Sequence, residues 1–157
     1  MIIINKKGDD FLKEENRNYI FLGKVYENAE MGGEAINMLN DKVEDEKMMN
    51  ELKWQSEQYL NLAQRAHAAI TELGLEPEKT SAVSKLGLWS GIQLNTLVSR
   101  SNDKIAEIMI QGSDMGIIDL SRLLNEYEEI PESYREIARD FVKFLENSVD
   151  RMKEFLG

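Results

Sequence analysis

The residues able to do chemistry are few in kind. One histidine, His67, stands among 29 Asp and Glu residues, and cysteine is absent from the sequence. Carboxylate and imidazole together are the donors that suit iron, manganese or zinc in a helical protein. A metal pair inside a helical bundle takes one Glu from each of two helices and a Glu-x-x-His pair from each of the other two. Residues three apart share a helix face, so both side chains of such a pair can meet the same ions. Three residues before His67 stands Gln64, and a single histidine cannot supply a second pair. That ligand set is missing. What remains is a reduced carboxylate site, for which Asp119, Glu57 and His67 are the candidates.

Other chemistries find even less. Without cysteine there is no disulfide, thiol catalysis or thiolate metal site. The sequence has no Gly-rich phosphate loop followed by Lys and Ser or Thr, no Ser in an elbow motif, and no basis for a triad. No catalytic residue and no cofactor are therefore expected. Lys and Arg total 19, giving an acidic chain of formal net charge −10. Such a surface repels nucleic acid and anionic lipid, and the longest basic pair, Lys6-Lys7, lies beside Asp9-Asp10. Met1 to Ile4 is too short for a signal-peptide apolar region, and no run reaches membrane-spanning length. The expectation is a cytoplasmic protein with neither nucleic acid nor membrane as partner.

The elements that would position these residues are helical. Residues 1–17 read as a loosely attached arm, and 18–157 as one bundle domain of the 157-residue chain. Leu22, Val25, Ala29, Gly32, Ile36, Leu39 and Val43 step by threes and fours along a first helix. A second carries Met49, Leu52, Ser56, Tyr59, Ala63, Ala66, Ile70 and Leu73, stopped by Gly74 and Pro77. Ser101-Asn102-Asp103 offers N-caps for a third, with Ile105, Met109, Gly112, Gly116, Leu120 and Leu123 on its apolar face. Pro131 opens a fourth, carrying Tyr134, Ala138, Phe141, Leu145, Ser148, Met152 and Phe155. No segment sustains a period of two. The fold predicted is all-α: a four-helix bundle of two antiparallel hairpins. The stretch 75–101 would be a long crossover, with a short helix of its own at Leu86, Leu88, Trp89, Ile92, Leu94 and Leu97. Small residues on the facing stripes would permit close helix approach.

In this layout the chain resembles the ferritin-like superfamily, and more narrowly its small bacterial four-helix proteins of unknown function. The likeness runs from about Asn18 to Leu156 and rests on Asn28-Ala29-Glu30-Met31-Gly32 and on the phrase Met109 to Asp119, MIQGSDMGIID. Neither phrase is a catalytic signature. The resemblance implies architecture, and the fold's best-known members hold metal between inward Glu and His.

At about 100° per residue the carboxylates fall outside the seam. Glu27, Glu30, Glu34 and Asp41 lie opposite the first stripe, Glu51 and Glu72 lie outside the second, and Glu57 is well off it. Burying an unpaired carboxylate costs several kcal/mol, so outward placement suits a metal-free core. His67 and Asp119 sit at stripe edges, where internal polar packing is the simplest role. Ile20, Met31 and Met38 form a second stripe on the first helix, and Trp54 falls among Asn50, Gln58, Asn61 and Arg65. Such a set forms a contact surface for a homo-oligomer, or is covered by the arm or the crossover. The sequence thus predicts a non-enzymatic bundle acting by protein interaction or self-association, with a metal-binding or redox protein as the alternative. A third possibility, a small ligand between helices beside Gly112 and Gly116, requires a cavity.

Overall fold

The computed structural model describes residues 6–78 and 101–157. Those residues are all-helical: α1 spans Lys6–Asn40, α2 Glu46–Glu72, α3 Asn102–Glu126 and α4 Glu132–Lys153. The expected short helix of the crossover lies outside the described residues, as do Ile2 to Ile4. Among the described residues no helix is long and apolar enough to cross a membrane.

Each boundary has a local cause. Asp45 accepts a hydrogen bond from the Met48 backbone at 2.9 Å, and Ser101 accepts one from Lys104 at 3.4 Å, so both satisfy orphan N–H groups. Gly74, at φ 77°, ends α2 in the left-handed region that a side chain would resist. Between α3 and α4 the Arg135 guanidinium donates to the carbonyls of Leu124 at 2.9 Å and Tyr127 at 2.7 Å. That cation neutralises the negative end of α3 and fixes the turn. The first helix starts at Lys6, well before the apolar stripe begins at Asn18. Its leading turns leave Phe11 and Leu12 exposed, so the arm is helical yet packs little.

Contacts are densest between α1 and α2 and between α3 and α4, and sparser across the two pairs. The inward residues of α1 follow the predicted stripe, with Phe21 and Asn18 added beside it. On α2 the buried face is turned by about one position. Met48, Leu52, Gln55, Tyr59, Leu62, Ala66 and Ala69 step by fours and threes into the core, and Met49 is exposed. The shift arises because α2 is flanked by both α1 and α4, which widens its buried arc beyond a single stripe.

Tyr59 ties all four helices together. Its ring lies against Gly32 of α1, where an added Cβ would stand 2.1 Å from a ring carbon. It meets Phe141 and Phe144 of α4 edge-on, at centroid distances of 5.9 and 4.9 Å. Its hydroxyl end lies toward Ser113 of α3. Burial pushes the phenol far above its ordinary range, so Tyr59 stays neutral at any physiological pH. The glycine notch at 32 thus receives a side chain and does more than let two backbones approach. Gly32→Ala would regain roughly 1 kcal/mol of helix propensity but overpack the ring by about 1–3 kcal/mol. We expect a net loss on the order of 1 kcal/mol in urea denaturation; a variant more stable than the parent would show that the ring is not seated there.

Candidate functional site

A cavity of about 320 Å³ opens between α1 and α3 and reaches the core. The reason is a shortage of side-chain volume on the two facing helices. Gly32 and Ala35 of α1 look across at Gly112, Ser113 and Gly116 of α3. Tyr59 and Gln55 of α2, with Phe141 and Leu145 of α4, close the inner end. Met115 and Asp119 line the mouth, and both are exposed. A side chain already occupies the notch at Gly116: a Cβ there would lie 2.8 Å from Leu145 Cδ1. The walls are mostly apolar, which is the usual character of a small-molecule site.

The inner end holds the one polar arrangement that sequence reasoning missed. Gln55 is fully buried, and its Nε2 donates to Glu51 Oε1 at 3.1 Å. Glu51 is itself buried, contrary to the expectation that it lies outside. Arg151 of α4 reaches it by two nitrogens, Nε at 2.8 Å from Oε1 and a terminal nitrogen at 2.6 Å from Oε2. The same guanidinium lies over the Trp54 ring, 4.1 Å from its centroid. Burial alone would raise the Glu51 pKa, but hydrogen bonds from Arg151 and Gln55, with the Arg151 charge, outweigh it and hold the carboxyl below its ordinary range. A wheel drawn from apolar residues alone assigns Glu51 to water, because it cannot see a counter-charge arriving from α4. The signal was the four-three spacing through Met48, Leu52, Gln55, Tyr59 and Leu62, which puts a glutamine at a core position.

The other candidates are dispersed. His67 is exposed on α2, its ring 6.0 Å from Tyr26 and its Nδ1 3.5 Å from the Thr71 hydroxyl. Asp119 is exposed at the cavity mouth. Neither is internal packing, as both lie where the helix edge meets solvent. Glu57 is exposed on α2, and ten residues from His67 means a rise of about 15 Å along the helix. Glu57, His67 and Asp119 are not brought together, and no group of three or more His, Asp or Glu side chains among the described residues could hold a metal ion. Of the expected contact residues, Met38 is exposed and Ile20 is half-buried. Met31 turns toward the cavity. Trp54 is half-buried and packs edge-on against Phe144 at 5.8 Å, because α4 covers the side of α2 that was assigned to solvent.

Arg151→Met leaves the Glu51 carboxylate without its counter-charge. Because the arginine is 43% exposed and water screens the pair, a loss of about 1–2 kcal/mol is expected from denaturant unfolding. A loss below about 0.5 kcal/mol, the level of an ordinary surface change, would mean the pair is not coupled. Because the folded-state pKa of Glu51 is depressed, its stabilisation is present above the unfolded value of about 4.3 and disappears as pH falls through the lower folded value. Melting temperatures taken from pH 7 down to 3 should show this acid component, and Glu51→Gln should lack it. Comparison with family models, curated proteins and solved structures finds no match.

Proposed function

We propose that the protein is a non-enzymatic, ferritin-like bundle that works by binding, and that it takes a small apolar molecule into the cavity between α1 and α3. The observation that carries this is the cavity itself, about 320 Å³ lined mainly by apolar side chains around an aromatic floor. A dry apolar void of about 150 Å³ already takes up benzene, so the space here suits a bicyclic guest. Water inside would meet apolar walls on most sides, and its release would favour a guest. The ferritin-like reading places α1 with α2 and α3 with α4 as two hairpins joined by a long crossover. It is supported by Tyr19 donating to the Glu76 carbonyl at 2.8 Å, by Arg17 pairing with Glu129, and by the Glu51–Arg151 pair. A cytoplasmic setting belongs to the same proposal.

A test uses indene, a rigid bicyclic hydrocarbon, titrated while methyl resonances are followed. Ile36 and Leu145 line the cavity, and their signals should shift saturably. Ala35→Phe, which fills the space from α1, should abolish the shifts. No shift at millimolar indene would refute the reading.

Self-association is the second reading, and exposed apolar side chains favour it: Met38, Leu60, Met115 and Ile118. Sedimentation at micromolar concentration should show a dimer or larger species. A strict monomer removes this reading and leaves the cavity unaffected.

A further inference from the structure

Gln55 is 0% exposed and lines the cavity, and its Oε1 has no hydrogen-bond partner. The orientation of that amide follows from chemistry. An ionised Glu51 has only acceptors to offer, so Gln55 must turn its NH2 toward it and its carbonyl away. Glu51 does not line the cavity. A buried acceptor left unmatched costs about 1–3 kcal/mol, and such groups in native proteins are few. Tyr59 and Ser113 also line the cavity, and neither is bonded to Oε1. A water molecule in the cavity would stand mostly against apolar walls, Phe141, Leu145 and Ile36 among them, where the roughly three partners that buried water takes are hard to assemble. The mouth adds a negatively charged acceptor, the Asp119 carboxylate.

From these positions we infer that the guest is an apolar ring compound carrying one N–H or O–H donor, which Gln55 Oε1 receives at the inner end of the cavity. This rests on the binding reading above and specifies its ligand class. Arg151 and Glu51 act as positioning residues: they hold the amide so that only its acceptor faces inward. The carboxylate of Asp119 at the entrance disfavours anionic guests such as fatty acids.

Indole and indene have nearly the same shape and differ in one N–H donor, so the pair isolates the interaction. Calorimetric or NMR titration of the full chain should give indole an affinity about tenfold above that of indene. In Gln55→Met, which keeps the length and removes the acceptor, the two should bind alike. A thermal melt of that variant checks that it folds, and unchanged indene affinity confirms that its cavity is intact. Should Gln55→Met fail to fold, the parent's ratio of indole to indene decides alone. Equal affinities in the parent would overturn the donor inference while leaving the cavity reading in place. A preference for indole that persists in folded Gln55→Met would also overturn it. Binding of neither compound would defeat the cavity reading itself, and the donor inference with it. A carboxylate analogue, indene-3-carboxylate, should bind more weakly than either; tighter binding would reverse the assignment of the site as an acceptor.

Discussion

One ring sets the geometry of the bundle. Tyr59 projects from α2 across the interior, rests on the bare backbone of Gly32, stacks edge-on with Phe141 and Phe144, and reaches Ser113 with its hydroxyl. A tyrosine can do this because its body is apolar and its tip is polar. The apolar body joins α1 to α4, while the hydroxyl end lies toward Ser113 of α3. Filling the middle from α2 leaves little for α1 and α3 to contribute. Their facing residues, Gly32, Ala35, Gly112 and Gly116, are small, and the space between them stays open.

The polar interior follows a different logic from that of a metal centre. In a di-metal bundle several carboxylates converge and the ions neutralise them. Among the described residues one carboxylate, Glu51, enters the core, and its counter-charge is supplied by Arg151 from the neighbouring helix. The guanidinium is held flat over Trp54, so a pair at the edge of the core has both charge and shape complementarity. Gln55 continues the hydrogen-bond pattern from Glu51, and its own Oε1 is left buried and unmatched. Polar groups in an apolar enclosure confer selectivity, because a guest lacking the matching group leaves them unpaired.

Much of the architecture was legible in the sequence. The threes-and-fours stripes of α1 and α3, the stop at Gly74 and the cap at Ser101 are local signals with local causes, and the structure places them as read. Misreadings cluster where a second neighbour intervenes. Glu51 and Trp54 look solvent-facing on a wheel centred on apolar residues, yet α4 supplies Arg151 to the first and Phe144 to the second. Met31 looks opposite the core, but the gap between α1 and α3 brings it to a cavity wall. His67 and Asp119 show the reverse: sitting beside a stripe is not enough to bury a side chain when no helix closes over that edge. The sequence named Gly112 and Gly116 as a place for a small ligand, and both line the cavity. The void itself could not be read, since it is the difference between a spacing and a volume, and a sequence states neither.

At the centre stands a molecule that keeps open space between two of its helices. Xenon reports such space directly, because it enters apolar cavities and scatters strongly. A crystal held under xenon pressure should show the atom between α1 and α3, against the Tyr59 ring and beside Gly116. Density without xenon, with α1 closed onto α3 or Tyr59 turned into the gap, would contradict it.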